Sequence, residues 1–577
     1  MNKVQNTITK VIKVILWVVV IVVLISVIIA GLVQIPSVQN KIVDAATSFV
    51  SKRTQTKVEV KNISIKFPKT VVIEGLFLED TEKDTLIYAG LVKINIALYG
   101  LFSREIATSS VSLEDAVIRL YSTKTDPLFN YNFLITSFAV STQQTQSDTL
   151  KASKWTFSLD DVYLKNIRFT YNDVYAGINV FAAIQQSEFS VEEFAPKKPL
   201  YQFNELFLEG LNLIVQTSEP ANAQKERSGK ILPTIIAQKV QLINSMVTYS
   251  DSVNYLSVNT KIDRIKLEKG LVDVQNEQIA FDYINLSESD IRYHTFQPEI
   301  VEGVDSSRKS NWIVSVNRLD AENNMFVYKI GDGPEITNEF DGQHLELSQL
   351  TFNASDFYYS QELTKISVRK LSTINHDQFV VNSLETDFSM DQYSITADKL
   401  KLKTPDSSVD ADFHVEFTSL ANFTDSLQFS NLNLVMRKVS LTNPDVLYFS
   451  PELINQPFFK NPANITTMSG AVNGPLNNLT GKNLFIKTGT NTVLETDFNI
   501  RGLPDAKTAT YNFPNLKIIT GRKDMELMAG DSIPENIALP ENINMQIAFK
   551  GEAKSFETTI SAGSSFGDAQ LSATIDK

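Results

Sequence analysis

The sequence predicts a mainly β protein held by an N-terminal transmembrane helix, and three observations predict it. Residues 14–33 form an apolar run interrupted only by Ser26. From Lys57 onward apolar and polar residues alternate, and a unit of about 78 residues then recurs along the chain.

The apolar run has the ~20-residue length that spans a bilayer core. Lys3, Lys10 and Lys13 precede it with no acidic residue among them. Residues 1–13 are therefore expected in the cytoplasm, with 14–33 as an uncleaved inner-membrane anchor and the bulk in the periplasm. A cleaved signal peptide would carry a shorter apolar stretch, roughly 7–15 residues, ending in small residues. This run leaves instead through Leu32, Val33, Gln34, Ile35 and Pro36. Residues 36–53 then read as a short amphipathic helix, because Val38, Ile42, Ala45, Ala46, Phe49 and Val50 fall at helical spacing. Two readings stand for it: a helix on the membrane surface, or a plain cap on one end of the β-structure.

Residues 57–440 are expected to form a repetitive, antiparallel β-structure. Val92, Ile94, Ile96 and Leu98 alternate with Lys93, Asn95 and Ala97, the pattern of strands with one apolar and one wet face. Pro68, Gly75, Gly90, Gly100 and Asp126-Pro127 read as turns. The repeat aligns Val162, Leu164, Asn166, Phe169 and Tyr171 with Val240, Leu242, Asn244, Val247 and Tyr249. A third copy reads Leu319, Ala321, Asn323, Phe326 and Tyr328. Polar stretches at 141–153, 217–230 and 303–310 precede the copies, and Asp173 and Asp251 close the first two. Trp155 and Trp312 occupy equivalent positions, either as core anchors or as ligand platforms.

Parity changes inside each copy. Apolar residues are even-numbered before Asn166 and odd-numbered at Phe169 and Tyr171. A regular strand would turn half of them into water; one extra residue, in a bulge or tight turn, restores the facing. Asn and Asp tolerate the left-handed conformation such a site needs. Asp115, Asn166, Asn244 and Asn323 are thus the candidate bulge or turn residues. Val92, Ile94, Ile96, Leu98, Val162, Leu164, Phe169, Val240, Leu242, Val247, Leu319 and Phe326 are the candidate lining of one continuous apolar face.

Residues 441–465 read as an irregular or short helical insert, and 466–577 as glycine-punctuated β-repeats. In the latter, Val472, Gly474 and Leu479 recur loosely as Phe549, Gly551 and Phe556. The second pattern is cut short at Lys577, so the expectation is an N-terminal part of a longer protein, since repeat arrays need capping units.

Little in the chain points to catalysis. It has no cysteine, which removes disulfides, thiol chemistry and Cys-ligated metals together. Its four histidines, His294, His344, His376 and His414, show no metal-binding spacing. The stretch 474–482 has six residues between its glycines and Asn483 after its lysine, so it fails as a phosphate loop. A net charge of -13, from 66 acidic and 53 basic residues without a basic cluster, argues against a nucleic-acid partner. No enzyme activity, metal or cofactor is expected.

The chain resembles the AsmA/TamB family of Gram-negative envelope proteins, particularly TamB-like members. The resemblance rests on the anchor and following helix, Thr56 to Val60 leading to Val71 through Asp80, and Asp84 to Ala89. It continues in the glycine-punctuated stretch from Gly470 to Leu479 with Ile500 to Pro504. It departs where Lys57 follows Thr56 in place of the family's glycine. What it implies is a long U-shaped β-groove, apolar inside, that carries phospholipid from the inner towards the outer membrane with an Omp85-type outer-membrane barrel as partner. An alternative implied role is a scaffold or chaperone for outer-membrane barrel assembly or secretion. The physical logic agrees: each exposed CH₂ costs a lipid about 0.8 kcal/mol, which a continuous apolar face offsets.

Overall fold

A computed structural model describes residues 35–66, 70–96, 105–123, 128–138, 156–195, 199–219, 232–296, 311–419, 430–529 and 538–576. The chain divides into two compact units, Met1–Gln275 and Asn276–Lys577; the stretch 57–440, read as one block in the sequence, spans that division. The expected anchor, Leu98 and Trp155 lie outside the described residues. No helix among the described residues is long and apolar enough to cross a membrane.

In the first unit α1 (Pro36–Thr54) starts on a proline, where no N–H is needed, and stops where Gln55 turns left-handed at φ +58°. Two short strands, β1 (Val58–Glu59) and β2 (Asn62–Lys66), pair in turn along one edge of β3 (Thr70–Glu79), which continues antiparallel into β4 (Thr85–Ile96) and β5 (Glu105–Tyr121). A seven-residue helix, α2 (Asn132–Phe138), follows. Next come β6 (Thr156–Asp173), β7 (Ile178–Ala195), β8 (Leu200–Glu209), β9 (Asn212–Thr217), β10 (Thr234–Asp251) and β11 (Leu256–Asp273).

The second unit holds β12 (Gln278–Ser287), β13 (Asp290–Thr295), β14 (Ile313–Ile330), β15 (His344–Tyr359), β16 (Leu363–Asn375), β17 (Val380–Asp391), β18 (Ser394–Lys403), β19 (Ser408–Glu416) and β20 (Asn431–Thr442). An insert of α3 (Asn443–Phe449) and two 3₁₀ turns, Pro451–Asn455 and Pro457–Lys460, precedes β21 (Ile465–Pro475). The chain continues through β22 (Asn478–Thr488), β23 (Thr492–Arg501), β24 (Thr510–Gly521), α4 (Arg522–Ala529), β25 (Asn542–Glu552), β26 (Ser555–Ser564) and β27 (Gly567–Ile575). The recurring motifs at 472–479 and 549–556 are the β21–β22 and β25–β26 hairpins.

Each unit is mostly antiparallel, as expected, with parallel pairing at three seams. β6 runs parallel to β5, β10 to β8 and β9, and β14 to β12 and β13. Parallel neighbours need a crossover of a dozen or more residues. The chain between β5 and β6, between β9 and β10 and between β13 and β14 is long enough for this, and each of these connections contains one of the polar stretches. The repeat itself is an element pattern: β6 to β9 recur as β10 to β13, each boundary displaced by 78 residues, and β14 opens a third copy.

Gly75 and Gly90, read above as turns, sit instead inside β3 and β4. Register pairs on either side of them place Gly75 beside Gly90 and Gly90 beside Asp115. The row continues through Asn166, Gln185, Gly210, Asn244 and Asp263. Left-handed backbone occurs at Gly75, Asp115, Asn166, Gly210 and Asn244, with φ between +49° and +63°. These are the strands running in one direction; β4, β7 and β11, running the other way, are not left-handed here. Since every strand carries its extra residue at the same level, pairing stays one for one and the whole sheet switches parity together. The row is a transverse crease. Glycine is required at 210, where a Cβ would lie 2.7 Å from that of Gln185.

Candidate functional site

Register across the crease assembles apolar residues into lanes that run perpendicular to the strands. One lane joins Val71, Ile94, Val111, Val162, Phe189, Leu206, Val240 and Leu267. Beside it runs a second, through Ile73, Val92, Leu113, Leu164, Leu208, Leu242 and Ile265, broken only by Ser187. Beyond the crease a third joins Leu78, Ile87, Ile118, Phe169, Ala182, Leu213 and Val247. Ile96 continues β4 past the first lane, opposite Thr108. In the second unit Ile284, Leu319 and Ala354 form one lane and Ile291, Phe326 and Leu347 another.

The eleven described candidates therefore fall on the apolar face of their own unit, and each is half-buried. A sandwich core would bury such residues fully, since stacked sheets interdigitate their inner faces. At the crease Ala89, Ala116 and Ile167 form a buried core cluster against which Leu76, Val92, Leu113, Leu164 and Ile184 pack; elsewhere in this unit Val72 and Leu86 are buried as well. Small or buried residues continue along the crease as Leu211, Ser245 and Ile262.

Residues after the left-handed position matter as much as that position. Asn166 Nδ2 donates to Asp115 Oδ1 at 2.6 Å, tying two parallel strands at the crease. Ile167, which follows, is apolar because its neighbour β5 is continuous. At β10 the parallel neighbour is interrupted between β8 and β9, which leaves the Leu211 N–H without a ladder partner. Ser245 Oγ accepts it at 3.3 Å. In the second unit the same gap follows Glu288, itself left-handed at φ +51°, and Asn324 Oδ1 accepts the Ser289 N–H at 2.9 Å. Sequence reading passed over Ile167, Ser245 and Asn324, whose differing types follow from whether a neighbouring donor is orphaned.

The opposite face is polar. Lys93 Nζ pairs with Glu114 Oε1 at 2.8 Å, and Lys165 is exposed. At the rim, aspartates close the turns. Asp251 accepts the N–H groups of Val253 and Asn254, the Asn254 amide and the Tyr249 hydroxyl. Burial opposes ionisation of Asp251, but these donors outweigh it and hold its carboxyl below the usual range. Asp173 accepts the Ala176 N–H and the Tyr171 hydroxyl in the same way. Burial and its bond to Asp80 push the Tyr121 hydroxyl well up.

Among the described residues no group of three or more His, Cys, Asp or Glu is placed to hold a metal. The arrangement offers a surface, with apolar lanes on one side and ion pairs on the other. No family model, curated protein or solved structure matches the chain.

Proposed function

We propose that the protein carries phospholipid along these lanes, as an inner-membrane-anchored periplasmic bridge that supports outer-membrane biogenesis. The observation that carries the reading is the lane system: apolar rows kept in register across strand after strand, on one face only, and left half-exposed. Exposed apolar surface costs about 25 cal/mol per Å², and contiguous patches of this kind mark interaction sites. Acyl chains laid across the strands would cover the lanes while the head group stayed in water. In this reading the run at 14–33 anchors the chain, and an Omp85-type barrel receives what it delivers.

The test places a photo-crosslinking residue at Ile94, Leu164 or Leu242, with Lys93 and Lys165 as controls on the polar face, in cells making the full chain. Phospholipid adducts at the three lane positions and not at the lysines are expected. Protein adducts in place of lipid would favour the assembly-scaffold role, and equal labelling of the two faces would remove both.

A further inference from the structure

In the second unit, the turn between β16 and β17, helix α3 and the following 3₁₀ turn line an open, shallow cavity of about 460 Å³. That is within the ~300–1,000 Å³ of small-molecule sites. Asp377, Phe379, Pro444, Asp445, Tyr448 and Ile454 line it, and no lysine or arginine is among its lining residues.

Its two carboxylates differ in how well they are met. Asp445 Oδ2 accepts the Thr404 hydroxyl at 2.6 Å. The Asp377 side chain is only 8% exposed, yet its Oδ2 has no hydrogen bond. It lies 3.1 Å from His376 Nε2, which is likewise without one. A carboxylate out of water is costly unless a donor or cation meets it. Beside it, Phe379 and Tyr448 stack at 4.4 Å with their planes 5° apart, and Asn375 holds the Tyr448 hydroxyl at 2.5 Å. Aromatic faces and a buried carboxylate whose one near partner is the His376 ring favour a cation over an anion in this cavity. With one carboxylate already engaged, and no group of three or more His, Cys, Asp or Glu placed to hold a metal among the described residues, the aromatic walls suit an organic cation better than a metal.

We propose that this cavity receives an ammonium group. Resting on the lipid-carrying reading above, the ammonium is the head of a zwitterionic phospholipid whose tails lie on the apolar lanes. The cavity sits where β16 ends and β17 begins, at the strand ends. An amphiphile whose tails reach inward from the strand ends onto the apolar stripe leaves its head at such a margin.

The experiment uses the full-length chain in detergent, wild type and Asp377→Asn, with Asp445→Asn as a second variant and melting curves as a fold check. Ethanolamine phosphate and choline phosphate are titrated against glycerol 3-phosphate as the ammonium-free control, and co-purified lipid is analysed by head group. Expected are saturable binding of the two ammonium probes only, and binding at least about tenfold weaker in Asp377→Asn. Bound lipid should be enriched in ammonium heads over the host membrane, with that enrichment lost in the variant at unchanged total lipid. Unchanged lipid loading with no ammonium preference overturns the cavity and leaves the lanes standing. Specific binding of the soluble probes to a protein that carries no lipid keeps the cavity and overturns the lipid-carrying reading. Equal binding by wild type and both variants overturns the proposal outright.

Discussion

The crease of the first unit and the strands from β14 onward in the second handle one problem differently. Both contain extra residues that would flip a strand's apolar set to the wrong face. From β3 to β11 the residues of the crease share one level, so that Asn166 meets Gln185 and Asn244 meets Asp263 with pairing on either side intact; the register shifts in the β3–β4, β4–β5 and β7–β8 pairs and left-handed Lys269 lie away from it. From β14 to β20 every strand pair shows a register shift, and left-handed residues fall at Asn323, as the sequence led one to expect, and at Gln349, Asp356 and Lys399. A repeat with fixed element lengths keeps its irregularities aligned. Without the repeat each strand pair is left to absorb its own bulge. Aligned irregularities make a crease with a buried line of residues; scattered ones give local twist.

The largest expected effect sharpens this contrast. Ile167 is 4% exposed at the crease, whereas Phe169, two residues on, is half-buried in a lane. Ile167→Ala should destabilise the first unit by about 2–5 kcal/mol through the cavity it opens. Phe169→Ala should lose clearly less in spite of the larger side chain, because its surface already meets water. Urea midpoints of the two variants decide this: a greater loss at Phe169 would mean that the lanes, and not the crease, are the core.

The second unit offers a different anchor, at its rim. Asp341 and His344 are almost fully buried, with Asp341 Oδ2 at 2.7 Å from His344 Nδ1. Burial alone would raise the Asp341 pKa; the Ile336 N–H, the His344 ring and the Gln343 N–H outweigh it and hold it at about 2. A carboxylate whose folded pKa lies below its unfolded one adds stability above the unfolded value, near 4, and loses it as pH falls through the folded value. About 2 kcal/mol should therefore disappear between pH 4 and pH 2. Asp341→Asn should flatten that window and lower stability at pH 7. If the variant kept the wild-type acid slope, the turn before β15 would owe its order to something other than this carboxylate.

How much of this was legible depends on the range over which the signal acts. The parity change around Asn166 is visible in the chain because alternation is local, and the repeat is visible because it recurs. Gly75 and Gly90 misled, since glycine in a strand and glycine in a turn read alike until register places them beside Asp115. Parity counted to Phe169 skipped Ile167, because the switch is completed within one residue. Ser245 and Asn324 could not be read as acceptors, since the orphaned N–H groups lie on separate strands, at Leu211 and Ser289. The parallel seams were hinted at only by the long polar stretches, which say nothing of strand direction by themselves. The cavity beside Asp377 left no mark at all, for its walls come from segments far apart in sequence.

A smaller effect probes the crease directly. Asn166 is left-handed at φ +53° and donates to Asp115. Asn166→Val places a β-branched residue where left-handed backbone costs about 1–2 kcal/mol, and it also removes the hydrogen bond. Asn166→Gly relieves the backbone and loses only the hydrogen bond, so it should be the milder of the two. Hydrogen exchange should show the valine variant loosening β5 and β7 together, because the row is shared. Loosening confined to β6 would show that the crease is five separate kinks and not one cooperative line.

The smallest effect belongs to a contact that looks similar and is not. Lys239 Nζ and Glu205 Oε1 also bridge two parallel strands, at 2.8 Å, but both side chains are mostly exposed. Water screens the attraction and ordering two long side chains opposes it, so exposed pairs of this sort contribute little. Lys239→Gln should leave the urea midpoint unmoved at both low and high salt. Asn166 and Asp115 owe their weight to left-handed backbone beside a buried line, which Lys239 and Glu205 lack. A measurable, salt-sensitive loss at Lys239 would mean that the seam between β8 and β10 is held by charge, and that the crease there needs help from outside.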